Sequence, residues 1–406
     1  MLLADAGADV IKVEPPVGDE TRRWGPPFVH GVSTYFMSTN RGKRSVVLDL
    51  KTVAGRNAAL ALAASADVVV ENSLPGTMER LGLGAGTLRR LNPRLIYASI
   101  TGYGQTGPLA HTPGYDVPVA AATGLLSITG QPDGPACKPG VALTDIAAGQ
   151  YLHGAILTAL FARERGAGGA LLATSLLEVG LANLANVAAG VLVGGGTSRR
   201  WGSAHASIVP YQAFSDADGK ELVVAAMNER QFAALAAAVG APGLAVDPRY
   251  ATNADRVRNR VQLLAELTSA LATKPRVHWV QVLTEAGVPA APVLSVGEAL
   301  ASPQVAALGL VQRVPYPEVE AGTGEASEGV PFVSNPVSSD GGVDVDGGGA
   351  LTYLPIRRPP PALGQHTGEV LREVLNWGSV EVAAARAGGA FGDIAHATSD
   401  AVAGAT

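Results

Sequence analysis

Asp145 closes the run Gly140-Val141-Ala142-Leu143-Thr144-Asp145 and directly precedes a segment, 146–163, whose apolar spacing predicts a helix. Thr144 reads as the N-cap of that helix, which puts Asp145 in its first turn. There the helix dipole and free amides favour the ionised carboxylate and lower its pKa. An ionised carboxylate beside a substrate can act as a nucleophile. Acidic residues in a first turn are also ordinary stability devices, so position alone leaves both roles open. Tyr115 and Asp116 sit in a Pro-Gly turn, where aspartate is commonplace. Asn40-Arg41-Gly42-Lys43-Arg44 packs three cations into a short loop, a possible phosphate cradle set against the commoner solvated loop. Glu14 ends a strand where a dinucleotide-binding fold places its ribose acceptor, but no G-x-G-x-x-G precedes it. Arg199, Arg200 and His205 surround Trp201 and could meet a carboxylate, or simply line a linker.

Much familiar chemistry is absent. One cysteine, Cys137, among 406 residues forbids an internal disulfide framework and a Cys-based zinc site. It fits a reducing compartment. The seven histidines are dispersed with no pair at metal-ligand spacing, and neither a G-x-S-x-G elbow nor a P-loop occurs. The net charge of −5, with its cations scattered, argues against nucleic acid as a partner. No apolar run is long enough to span a bilayer, so a soluble protein is expected.

The elements that must position these residues alternate. Helix 53–64 leads to strand 67–70, a short helix near 87–91 to strand 95–100, and helix 146–163 to strand 170–177. Short, continuously apolar strands between helices imply a parallel sheet buried on both faces, with ligands beyond the carboxyl ends of its strands. Asn72, Tyr103 and the loop 114–116 fall at that edge. After Gly194 the pattern changes to an Asp-Gly hairpin, 207–214 with 221–226, followed by helices 229–239, 254–272 and 278–286. The reading is therefore a large α/β domain over 1–195, a small α+β domain over 200–320, and a segment 325–378 returning to the large domain. Residues 338–349 read as a flexible insertion, and the Ala/Gly-rich tail 379–406 as poorly ordered.

In order and spacing, several blocks together resemble the class III CoA-transferases, the CaiB/BaiF-like family. They are Ala6-Gly7-Ala8-Asp9-Val10-Ile11-Lys12-Val13-Glu14, Asn40–Arg44, Val70-Glu71-Asn72, Pro75-Gly76 and Arg80-Leu81-Gly82. Asn92-Pro93-Arg94-Leu95-Ile96-Tyr97, Gly102-Tyr103-Gly104, Gly114-Tyr115-Asp116, Gly140–Asp145 and Leu363-Gly364-Gln365-His366-Thr367 continue the series. The run Arg200–His205 with Ser207–Phe214 is similar to the succinyl-CoA:glutarate (succinate–hydroxymethylglutarate) branch.

The resemblance implies a Rossmann-like large domain with an inserted smaller α+β domain, in an interlocked homodimer. It implies that Asp145 is the nucleophile, passing through an anhydride and an aspartyl-CoA thioester. CoA or acyl-CoA is then a substrate, with no permanently bound cofactor and no metal. Asn72, Ser73, Arg80 and Leu81 match CoA-contacting positions; Arg41, Lys43, Arg44, Tyr115 and Asp116 are further candidates, and Arg199, Arg200 and His205 are expected to meet the far carboxylate of a dicarboxylate. The family's opening strand and Gly-Pro loop are expected ahead of residue 1. The compartment would be mitochondrial in a eukaryote and cytoplasmic otherwise. Two alternatives stay open: an acyl-CoA racemase, which places His where Tyr115 stands, and an inactive truncated CoA-binding relative.

Overall fold

The computed structural model describes residues 1–29, 31–316, 329–339 and 351–392. Of the expected insertion, only Ser338–Ser339 is described, paired with Thr352–Tyr353; the rest of it and residues 393–406 lie outside the described residues. Packing divides the chain into two units. The first comprises Met1–Val119, Ala142–Gly180 and Ser302–Thr406, the second Ala120–Val141 and Leu181–Ala301.

The first unit is α/β with parallel strands. β1 (Val10–Glu14) pairs with β2 (Lys43–Val47), and β3 (Val68–Glu71), β4 (Ile96–Thr101) and β5 (Leu171–Ser175) form a parallel sheet with β4 central. β4 is buried on both faces, which is why its sequence does not alternate. Tyr97 packs with Ala63, Leu83, Leu88 and Leu95 on one face, while its neighbour Ala98 packs with Leu152 and Ile156 on the other. Ala63 belongs to α2 (Val53–Ser65); Leu152 and Ile156 belong to α5 (Leu143–Glu164). Sequestering side chains such as these contributes about 1.5–3 kcal/mol apiece. The long helix is thereby fixed against the sheet, and its first turn with it.

The tail departs from expectation. Residues Ser379–Ala387 form a helix, and Ala385, Ala390 and Phe391 join a core with Val46, Leu48, Leu62, Val370 and Leu371. The Asp49 amide donates to the Ala390 carbonyl at 2.7 Å. Phe391 supplies the apolar anchor that the surrounding Ala/Gly composition conceals.

The second unit carries the expected hairpin as β6 (Tyr211–Ser215) and β7 (Glu221–Ala225), antiparallel, with β8 (Ala290–Pro292) beside β7. Buried Asp216 builds the turn: its Oδ1 accepts the amides of Asp218 and Lys220, and its Oδ2 that of Arg276. β6 starts at Tyr211 rather than at Ser207, since Pro210 has no amide to pair. The single helix expected over 254–272 is two, Asn253–Arg258 and Arg260–Leu271. Between them Asn259 has a non-helical ψ of 25° and spends its side-chain amide on the Arg249 and Asp255 carbonyls. Arg256, 0% exposed, ties this unit by donating to the carbonyls of Val209 and Tyr250 beneath the Phe232 ring.

Candidate active site

Asp145 lies in the first turn of α5, as its position predicts, but the cap is made differently. Ala142 occupies the N-cap position, and no side chain there accepts a hydrogen bond. Asp116 does this work from another segment. It begins α4 (Asp116–Ala122), is buried, and its Oδ1 accepts from the Thr144 amide at 2.8 Å and from Thr144 Oγ1 at 2.6 Å. One of the orphan donors at the helix start is thus satisfied by a carboxylate brought from outside. Thr144 is a donor to that carboxylate, not the cap.

Asp116 is placed by a close approach of two backbones. A Cβ on Gly102 would lie 2.5 Å from Gly114 Cα, and one on Gly114 would lie 2.3 Å from Gly102 Cα. Only glycines allow this crossing at the carboxyl end of β4. The Gly102 carbonyl also accepts the Leu177 amide at 3.0 Å, fixing that end to the chain beyond β5.

The electrostatics of Asp145 run against the helix-dipole expectation. Its side chain is exposed at the surface, yet desolvation by the surrounding protein, followed by the charge of Asp116, pushes its carboxyl up to about 6. The dipole's opposite influence is outweighed. At neutral pH the group is still mostly ionised, but it is a stronger base, and so a stronger nucleophile, than an ordinary carboxylate.

Tyr35 faces the same pair. It lies in α1 (Thr34–Asn40), capped by Ser33, and its phenol is raised above its ordinary value by burial and then by the charges of Asp145 and Asp116. Trp24 packs edge-on at 5.0 Å, and Trp24, Gly25, Pro26, Pro27, Thr34 and Tyr35 line a cavity of about 330 Å³. A rigid frame holds this wall. Arg22 covers buried Phe36 at 3.9 Å and forks onto Glu14 at 2.8 and 2.7 Å; Ser45 Oγ donates to Glu14 at 2.7 Å and accepts the Gly364 amide. Glu14 has no room for a ribose. The closing block works on the same frame, with the Val47 amide donating to Thr367 Oγ1 and the Ser45 amide to His366 Nδ1.

The basic loop is mostly spent on the fold. Arg41 is buried against Asp5, at 3.1 and 2.9 Å, and donates to the Val333 carbonyl. Arg44 is buried among Asp9, Glu369 and Glu373. Both guanidinium groups are thus engaged by partners within the fold. Lys43 is different: Nζ donates to Asn40 Oδ1 at 2.9 Å, and burial, then Lys12, lowers it to about 8. Asn72 and Ser73 follow β3, with the Ser73 amide bonded to Glu71 at 2.7 Å. Arg80, exposed at the end of α3 (Thr77–Arg80), folds over Gly76 and donates to Thr77. Leu81 packs beside Leu83 and Leu88, so its role in the fold is as filler. Tyr115 is exposed.

In the second unit, Arg199 stacks on Trp201, Arg200 Nε donates to the Gln131 carbonyl at 3.2 Å, and His205 stacks on Tyr211. His205 Nδ1 accepts the Ser207 amide at 3.1 Å, so that nitrogen is engaged within its own loop. Sequence reasoning missed Trp24, Tyr35 and Arg260. The first two are isolated aromatics without a local motif, and the third was hidden inside what read as one helix. Among the described residues no cluster of three His, Cys, Asp or Glu could hold a metal, and no helix is long and apolar enough to cross a membrane.

Asp145 is thus a first-turn carboxylate of raised basicity, within electrostatic reach of Asp116 and Tyr35. Residues 1–367 match CoA-transferase family III, and the chain belongs to that family. It is an enzyme of the transferase type. A succinyl-CoA:glutarate CoA-transferase of Mus musculus is 41% identical over 388 residues, 94% of this chain and 84% of that protein. A succinate–glutarate CoA-transferase of Agrobacterium fabrum is 41% identical, covering 92% of this chain and 90% of its own length. Among solved structures, a CAIB/BAIF family protein from Brucella suis aligns with a TM-score of 0.77 at 38% identity, over 92% of this chain and 93% of that one.

Proposed function

We propose that the chain moves CoA from a dicarboxylic acyl-CoA such as succinyl-CoA to an acceptor dicarboxylate such as glutarate or hydroxymethylglutarate, with Asp145 as nucleophile. The observation that carries this is the setting of Asp145: solvent-accessible, held in the first turn of α5, and raised to about 6 by desolvation and Asp116. The ionised carboxylate attacks the thioester carbonyl and expels CoA thiolate, leaving a mixed anhydride. The thiolate attacks the aspartyl carbonyl, releasing the donor acid and leaving an aspartyl-CoA thioester. The acceptor carboxylate attacks that thioester, forming a second anhydride and freeing the thiolate. The thiolate then takes the acceptor's acyl group and restores Asp145. Bonds and charges balance without an external proton or redox partner.

Asp116 positions the helix turn, and the neutral Tyr35 phenol is a donor suited to the oxygen that gains charge. Asn72, Ser73, Lys43 and Arg80 are proposed to meet CoA, with Arg80 as phosphate partner. Cations of the run Arg199, Arg200 and His205 are proposed to receive the far carboxylate of a dicarboxylate. The enzyme is read as an intracellular homodimer, mitochondrial in a eukaryote and cytoplasmic otherwise. Support for the dimer comes from α5, which leaves Ile146, Leu157 and Phe161 exposed.

The deciding experiment is mass spectrometry after incubation with succinyl-CoA and trapping with hydroxylamine or borohydride. The expected result is a modification at Asp145 that disappears when glutarate is added. An unmodified protein that binds CoA would reject the transferase cycle and favour the racemase or a non-catalytic relative.

A further inference from the structure

In the second unit two arginines, Arg199 and Arg260, contact the indole of Trp201, and Arg200 is its chain neighbour. The guanidinium carbon of Arg199 lies 3.8 Å from the centre of the Trp201 ring, and that of Arg260 lies 4.3 Å from it. Both guanidinium groups therefore make cation–π contact with the one indole. Stacking uses the flat face of a guanidinium and leaves its N–H edge available. Arg260 spends Nη2 on the carbonyls of His205, at 3.2 Å, and Ala206, at 2.7 Å, so it also positions the loop. Arg200 is turned to the carbonyls of Gln131 and Ser127. Arg199 donates no hydrogen bond among the described residues, and none of the three pairs with a carboxylate there.

This is an uncompensated arrangement. The charged neighbour that shapes Arg260, after burial, is another cation, Arg199, and together they lower it. Like charges clamped on one ring are relieved by an anion, and a carboxylate matches the planar fork that Arg199 holds outward.

We propose that Arg199 and Arg260, clamped on Trp201, form a carboxylate-binding site of the second unit, in which Arg199 meets the ligand and Arg260 holds the loop. Of the two arginines singled out in the sequence, Arg199 is the one that donates no hydrogen bond among the described residues; Arg260, which apolar spacing hid within one long helix, is the second cation. Naming the ligand as the acid substrate, a dicarboxylate such as glutarate, rests on the transferase reading above.

The test is isothermal titration of the full chain with glutarate, and separately with CoA, for the unaltered protein, Arg199→Gln and Arg199→Lys. Glutarate titrations are run with and without CoA. The expected result is glutarate binding that Arg199→Gln weakens about tenfold or more and Arg199→Lys weakens less, with CoA affinity unchanged. Arg199 is exposed and makes no hydrogen bond among the described residues, so the variant should keep its melting temperature. Weakened CoA binding with glutarate unaffected would make this a phosphate site and overturn the proposal. Equal glutarate affinity in both proteins, or no glutarate binding by the unaltered chain, would leave only a structural clamp and overturn it too. The transferase reading fails separately: glutarate binding lost in Arg199→Gln, with no trapped Asp145, would keep this site and sink that cycle.

Discussion

Asp145 and Asp116 form a division of labour between two carboxylates of like charge. Asp116 is buried and hydrogen-bonded to Thr144, while Asp145 accepts no hydrogen bond among the described residues and is pushed up to about 6. Two expectations follow from this asymmetry. Asp116→Asn keeps an acceptor for Thr144 but removes the negative neighbour, so the acid limb of the pH–rate profile should move to lower pH. An unmoved limb would show that burial alone sets Asp145. The second concerns stability. Asp145 has a folded pKa above its ordinary value of 3.8, so its ionisation opposes folding. Asp145→Asn should therefore abolish turnover yet raise the melting temperature above about pH 6, with the gain vanishing below pH 4. Thermal melts across that range check the sign; a loss of stability at pH 8 would contradict it.

The elements act as holders. β4 is buried on both faces, α5 packs on one of them, and the Gly102–Gly114 crossing sets Asp116 at the end of the strand. The tail closes the other core of this unit through Phe391. Phe391→Ala should cost about 3–5 kcal/mol, as large-to-small core substitutions of phenylalanine do. Denaturant unfolding would measure it, and a change within about 0.5 kcal/mol would return the tail to a loosely held segment.

For the molecule as a whole, the exposed apolar side chains of α5 bear on the proposed dimer. Phe161 is 63% exposed, and Leu157 lies one turn before it. If a second copy covers this helix, Phe161→Glu should shift the protein from dimer toward monomer in size-exclusion chromatography with light scattering. An unchanged dimer would place the interface elsewhere.

Periodicity and turn chemistry are local, and they were enough for the parallel strands, the Asp-Gly hairpin and a carboxylate in the first turn of a long helix. The ordered blocks from Ala6 to Thr367 were enough for the family. What they could not show depends on groups far apart in the chain. The pKa of Asp145 turns on Asp116, 29 positions earlier, and on how much protein encloses it. The fate of Arg41 and Arg44 turns on Asp5, Asp9, Glu369 and Glu373, which no spacing in a basic loop announces. Tyr35 reaches the site because Glu14, Arg22 and Phe36 frame its helix, and Arg260 reaches Trp201 because Asn259 breaks a helix that apolar spacing alone continues. Residue type and rhythm thus decided which chemistry was possible; desolvation and long-range charge, which exist only once the chain is folded, decided which side chains are free to perform it.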